Sequence, residues 1–198
     1  MSNRTVVFLV RHGQTEWNIE KRFQGHKNSS LTLKGKEQAQ QAKKSLSHVN
    51  IHKAYVSPLQ RAKDTINIIL DNGKIEIIEK NNLKEINLGP WEGKTREEMR
   101  AIHPEQYDHF WNKPDKFFLP GAETYLQLQS RMVTQLNEIF QRELNKNILV
   151  VSHWIAIKVA TAHYASIPIS RLSSLTDIGN GEFLTLVSDN DVVNIDGF

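Results

Sequence analysis

Thr5-Val6-Val7-Phe8-Leu9-Val10 runs directly into Arg11-His12-Gly13. The first segment is continuously apolar and rich in β-branched residues, without the polar alternation of a half-exposed strand. That is the pattern of a strand buried on both faces, as parallel sheets require. A second run, Ile148-Leu149-Val150-Val151, has the same character and ends in Ser152-His153. Two buried strands that each stop at a histidine set the frame for the rest of the chain.

Between and around them the pattern alternates. Thr32–Leu46 predicts a helix, and Ala54–Val56 a short strand. Ser57-Pro58 predicts the start of another helix, with Ser as cap and Pro at its first position, and Leu59, Ala62, Ile66 and Ile69 face the core at helical spacing. Ile75–Ile78 is a strand candidate. Thr95 and Glu98 form a capping box for a helix that stops near Pro104; Thr124 and Gln127 form another, leading a long helix with Tyr125, Leu128, Met132, Leu136 and Ile139 on its inner face. Residues 103–122 are the least regular, with Pro104, Pro114, Pro120 and Gly121 interrupting an aromatic stretch. Ile155–Ala165 reads as helix, and Phe183–Val187 and Val192–Ile195 as a closing strand pair. Strands alternating with helices predict a three-layer α/β domain, a mainly parallel central sheet flanked by helices. Residues 1–198 are expected to form one domain, with a small insertion at about 83–123 over one end of the sheet.

The composition excludes several classes. There is no cysteine, hence no disulfide, zinc–thiolate site or thiolate nucleophile. No apolar stretch is long enough to span a membrane, and the N-terminus lacks the pattern of a signal peptide, so a cytoplasmic protein is expected. The net charge of +3 is small and spread out, unlike the basic stripe of a nucleic-acid binder, and it suits a small anionic substrate. His48 and His52 are four residues apart but lack the companions of a metal site. No metal and no cofactor are expected. A homodimer through an edge strand is compatible with the strand pattern.

Ligands of open α/β sheets bind beyond the carboxyl ends of the strands. Arg11 and His12 follow the first strand, Ser57 and, one turn later, Arg61 follow the second, and Ser152 and His153 follow the late one. Cations brought to one edge repel unless an anion lies between them, and the guanidinium fork suits phosphate oxygens. With no thiol, no buried Asp-x-Asp (Asp189-Asn190-Asp191 lies in a late turn) and no metal set, a neutral imidazole is the competent nucleophile. His12 precedes Gly13, which leaves room for a phosphate. Glu85, between apolar neighbours in Leu83-Lys84-Glu85-Ile86, is the candidate acid, because burial raises a carboxyl pKa toward neutrality. Gly89-Pro90-Trp91-Glu92-Gly93-Lys94-Thr95 mimics a nucleotide loop, but it is one residue short and Pro90 removes a donor.

These residues also carry a family resemblance. Leu9-Val10-Arg11-His12-Gly13-Gln14-Thr15-Glu16-Trp17-Asn18 resembles the signature of the histidine phosphatase superfamily, in its phosphoglycerate mutase-like branch. The likeness continues through Arg22-Phe23-Gln24-Gly25, Leu31–Gly35, Ser57–Ala62, Leu83–Ile86, Gly89–Gly93 and Val150–His153, in the family's order. The resemblance implies that His12 becomes phosphohistidine, that Arg11, Arg61 and His153 clamp the phosphoryl oxygens, and that Glu85 protonates the leaving group and then activates water. Asn18, Gln24 and Gly25 would line the phosphate or the substrate beside it. Two departures stand out. Trp154 occupies the position after the second histidine where the family commonly has glycine, so its backbone N–H survives but its indole walls the pocket. Gly121-Ala122-Glu123-Thr124 replaces Gly-Gly-Glu-Ser and keeps the glutamate.

The expected activity is hydrolysis of small phosphomonoesters. A cofactor-dependent phosphoglycerate mutase is the alternative within the family, disfavoured by the short, proline-broken 103–122 segment. A non-catalytic phospho-ligand or protein-binding module would be expected to have lost the nucleophile or the acid, and both are present.

Overall fold

The computed structural model describes residues 4–71, 73–189 and 192–196. The chain order is β1 (Thr5–Arg11), α1 (Glu16–Ile19), α2 (Leu33–Ser45), β2 (Lys53–Val56), α3 (Gln60–Leu70), β3 (Ile77–Glu79), α4 (Arg96–Ile102), α5 (Pro104–Asn112), α6 (Tyr125–Arg142), β4 (Asn147–Ser152), α7 (Trp154–Tyr164), β5 (Phe183–Asp189) and β6 (Val192–Asp196). One sheet takes the order β3-β2-β4-β1-β5-β6. The pairings from β3 to β1 are parallel; β1–β5 and β5–β6 are antiparallel. The two-residue period of the strands divides the core. Val7, Leu9, Ile148 and Val150 point to one side and pack with the inner faces of α6 and α7. Val10, Val56, Leu149 and Val151 point to the other and pack with Ala42 of α2 and Ala62, Ile66 and Ile69 of α3. Helices on both faces of a mostly parallel sheet give the expected three layers.

Register positions the site. Val10 lies opposite Val151, Arg11 opposite Ser152 and Val56 opposite Val151. The strand ends carrying His12, Ser57 and His153 are therefore level with one another. His12 N donates to Ser152 O at 3.1 Å and Ser57 N to Val151 O at 3.0 Å, extending the ladder past the strands.

Two expectations need correction. Ser57 is not a helix cap: α3 begins at Gln60, with Leu59 in the capping position and no side-chain cap. The ladder bond to β4 keeps Ser57 extended, and a residue before proline disfavours the helical region in any case. The irregular 103–122 segment also hides α5. Pro104 both ends α4 and opens α5, since at a first helical position its missing N–H costs nothing. Asn190 and Asp191 of the expected late turn lie outside the described residues. The two capping boxes form as expected, at Thr95–Glu98 and Thr124–Gln127.

The 83–123 segment folds around its aromatics. Trp91 is fully buried, with Phe23 at 5.0 Å and Phe117 at 5.5 Å between ring centroids. Phe110 packs on Phe117 and Tyr125, and the Tyr125 hydroxyl donates to Phe110 O at 2.8 Å. The resulting layer faces the carboxyl ends of the strands.

Candidate active site

Arg11, His12, Asn18, Gln24, Gly25, Arg61, Glu85 and Trp154 line one cavity at that edge, together with Arg22, Phe23, Arg96 and Trp111. His153 lies behind His12, with ring centroids 5.1 Å apart, and is completely buried. Every residue singled out from the sequence is thus at one place.

His12 is held by its own backbone neighbourhood. Nδ1 is 2.7 Å from Gly13 O. A carbonyl only accepts, so Nδ1 carries the proton and Nε2 keeps a free lone pair. Burial, then Arg61 and Arg11, push the His12 pKa well below 6.5. Burial, then Arg61 and His12, do the same to His153. His153 Nε2 contacts Ser57 Oγ at 2.7 Å.

Main-chain carbonyls aim the arginines. Arg61 donates from Nη1 to Lys27 O at 2.7 Å and from Nη2 to Gly25 O at 2.8 Å. Arg11 donates from Nη1 to Ile178 O at 2.7 Å. Burial lowers both to about 10, leaving both charged at neutral pH. The loop that receives Arg61 is itself fixed by Glu92. Its carboxylate accepts from His26 N, Lys27 N and Leu88 N at 2.8–3.2 Å. Gly25 has φ +51°, and a Cβ there would sit 2.1 Å from Glu92 Oε1, so only glycine fits.

Glu85 is buried at the start of α7. Its oxygens accept from Ile155 N at 3.2 Å, Ala156 N at 3.0 Å and Ile86 N at 3.0 Å. Helix N-termini supply such unused donors. Arg131 braces the loop from below, donating to the carbonyls of Asn82, Lys84 and Glu85 at 2.8 Å each while pairing with Glu123.

Trp154 opens α7 and stands between this cavity and an adjoining one lined by Arg96, Phe110, Trp111, Tyr125, Lys158 and Asp177, among others. Its indole packs against Trp111, with ring centroids 5.7 Å apart and the planes tilted by 37°. Arg96 and Asp177 are not singled out by the sequence, whereas Trp111 lies in its aromatic segment and Arg22 in the Arg22-Phe23-Gln24-Gly25 match. Arg96 reads there as an ordinary first-turn helix cation, yet its guanidinium lies 4.5 Å from the Trp111 ring, facing the cavity. Among the described residues no group of three or more His, Asp or Glu side chains is arranged to hold a metal ion. His52 instead accepts from Asn147 N through Nδ1. No described helix is long and apolar enough to cross a membrane.

Comparison with known proteins places the chain in a family. Phosphoserine phosphatase 1 of Hydrogenobacter thermophilus is 30% identical over 168 residues, covering 85% of this chain and 80% of that protein. Phosphoglycerate mutase-like protein 4 of Arabidopsis thaliana is 36% identical over 150 residues, 74% of this chain and 65% of that protein. The solved structure of Bacillus stearothermophilus YhfR superposes with a TM-score of 0.95 at 32% identity, covering 97% of this chain and 95% of that one. Residues 7–197 match the family profile, and the chain belongs to the histidine phosphatase superfamily, branch 1.

Proposed function

We propose that this phosphomonoesterase works through a phosphohistidine on His12, with Arg11, Arg61 and His153 gripping the phosphoryl group and Glu85 exchanging the proton. One observation carries the assignment. Arg11 Nε, Arg61 Nε and His153 Nδ1 are buried with no hydrogen-bond partner. Unpaired buried donors are costly, and three of them around one nucleophile are satisfied together by the oxygens of a phosphoryl group.

The chemistry follows from the tautomer. Nε2 of neutral His12 attacks phosphorus and the bond to the ester oxygen breaks; Glu85 delivers a proton to the departing oxygen. Glu85 then takes a proton from water as its oxygen attacks phosphorus and releases His12. With the Ser57 hydroxyl donating to His153 Nε2, Nδ1 carries a proton toward the phosphoryl oxygens. The fixed guanidinium groups stabilise the charge that builds on the equatorial oxygens. Asn18, Gln24 and Gly25 border the phosphate position, and residues 83–123 form the cover of a single domain.

The substrate is a small phosphorylated metabolite, and the adjoining cavity receives the rest of it. Trp111, Trp154, Phe110 and Tyr125 give that cavity a partly apolar wall. Hydrolysis of a chromogenic aryl phosphate with chelator present tests the activity. His12→Ala is expected to abolish an acid-labile phosphoenzyme; persistence of that adduct would refute the nucleophile. Trp154→Gly is expected to reorder a panel of phosphomonoesters, and an unchanged ranking would refute the wall. Because a mutase-like protein is among the relatives, mutase activity is the second reading. It predicts interconversion of phosphoglycerates that depends on a bisphosphate primer.

A further inference from the structure

The segment 177–182 is tied to the reactive strand end at several points. Ile178 O accepts from Arg11 Nη1 at 2.7 Å, and Asn180 Nδ2 donates to His12 O at 3.0 Å. Gly181 N donates to Arg11 O, and Arg11 N donates to Glu182 O, each at 3.0 Å. What secures the front of this segment is Asp177. Its Oδ1 accepts from Trp154 Nε1 at 3.0 Å and from Lys158 Nζ at 2.6 Å, both on the first turns of α7. The Arg11 guanidinium lies 5.7 Å from the Trp154 ring and Lys158 Nζ 5.8 Å from it. The carboxylate, the indole and the two cations form one connected group beside the phosphate position.

We propose that Asp177 is a positioning residue for Arg11: by latching its loop to the Trp154 and Lys158 side chains, it sets the carbonyl of Ile178 that aims the guanidinium at the phosphoryl group. The proposal rests on the phosphatase reading and deepens it. It also gives Trp154 a role that the family's glycine cannot fill, since glycine has no side-chain donor for Asp177. Arg11 has one carbonyl acceptor for its Nη1 and an unpaired Nε. A shift of the Ile178 carbonyl therefore changes where the whole fork points.

The test uses orthovanadate, which occupies only the phosphoryl position, beside an aryl phosphate substrate. Asp177→Ala is expected to raise the vanadate inhibition constant and to lower kcat/KM for the ester, each by about tenfold, the scale of one weakened hydrogen bond from a charged group, because the guanidinium acts on the oxygens of the transition state. Asp177→Asn keeps an oxygen for both donors and is expected to stay within about twofold of wild type on the same scale. Trp154→Phe, which keeps the ring and loses the donor, is expected to weaken vanadate in the wild-type background and to add nothing in the Asp177→Ala background. Unchanged vanadate inhibition in Asp177→Ala would overturn the proposal. So would an asparagine variant as weak as alanine, additive effects in the double variant, or a fall in kcat with vanadate inhibition unchanged, which reports only lost folded protein. A wild-type protein that binds vanadate but hydrolyses no ester would instead refute the phosphatase reading, and direct vanadate titration of the variants would still decide the role of Asp177.

Discussion

Acidification should destabilise the ligand-free protein through its two site histidines. Both are buried beside Arg61, and both have folded-state pKa values well below 6.5. Between those values and 6.5 the unfolded chain binds protons that the folded chain refuses, so stability rises with pH and falls on acidification. Above about pH 7.5 both states are neutral at these positions and the contribution is flat. At pH 5.5 an unfolded histidine of pKa 6.5 is about nine-tenths protonated, so unfolding takes up at most about 1.8 protons at the pair. Integrated from pH 8, the loss is bounded at about 1.4 kcal/mol per histidine, or about 3 kcal/mol for both. Urea denaturation across pH 8 to 5.5 in phosphate-free buffer measures it, with proton uptake on unfolding at pH 5.5 as an independent readout. His12→Gln and His153→Gln should each remove about half of the slope and about 0.9 proton. His26 is also lowered by burial, but it is common to all the variants and cancels in the difference. Variants that keep the wild-type slope would refute the claim that the pair is held neutral.

At Gly25, alanine should strike Glu92 and detach the carbonyl that holds Arg61. A loss of about 2 kcal/mol or more in stability is expected from positive φ and the clash, with KM for the ester raised; a fully active, fully stable Gly25→Ala would contradict it. Glu143 is buried at the opposite end of the sheet, contacted by Tyr55, Lys53 and Lys146, and its pKa is lowered from 4.5 to about 2. Its contribution, about 3 kcal/mol by linkage, is present above pH 4.5 and lost as pH falls toward 2. The stability gap between wild type and Glu143→Gln, read by denaturant titration, should close over that window. Arg131→Met should free the three carbonyls it braces around Glu85 and lower kcat more than vanadate affinity, since the acid moves and the anion grip does not; equal losses in both would argue against it.

The sequence made the strand ends legible for a physical reason. β1 and β4 lie adjacent in a parallel sheet and need apolar residues on both faces, so they read as unbroken Val/Ile/Leu runs. Their last residues had to be Arg11-His12 and Ser152-His153, whatever the rest of the fold. Signals that depend on tertiary competition were misread. Ser57-Pro58 is a good local cap, but the ladder bond from Ser57 to Val151 outcompetes it and frees the hydroxyl for His153. Pro104 looks like a terminator because half of its role here is to terminate; its role as a first helical residue shows only once α5 packs Phe110 into the aromatic layer. Arg96 and Asp177 carry no signal in the sequence: each is an ordinary surface charge there, and only the folding of 83–123 and 175–182 beside the sheet edge brings it to the cavity rim.

That difference in legibility follows a difference in how the two halves of the site are built. The residues proposed to hold the phosphoryl group are themselves held by backbone: Gly13 O sets the His12 tautomer, Gly25 O and Lys27 O hold Arg61, Ile178 O holds Arg11, and the amides of Ile155 and Ala156 hold Glu85. Such contacts survive almost any side-chain change that leaves the chain path intact, so they tie the chemistry to the fold. The cavity beyond is walled by the side chains of Trp111, Trp154, Arg96 and Lys158, on elements outside the strand ends. Substitution of Trp111 or Arg96 alters what fits, whereas Trp154 and Lys158 also reach the Arg11 grip through Asp177. On the proposed reading, the indole pair and the charges around it choose among phosphate esters, while His12 and its partners carry the reaction common to all of them.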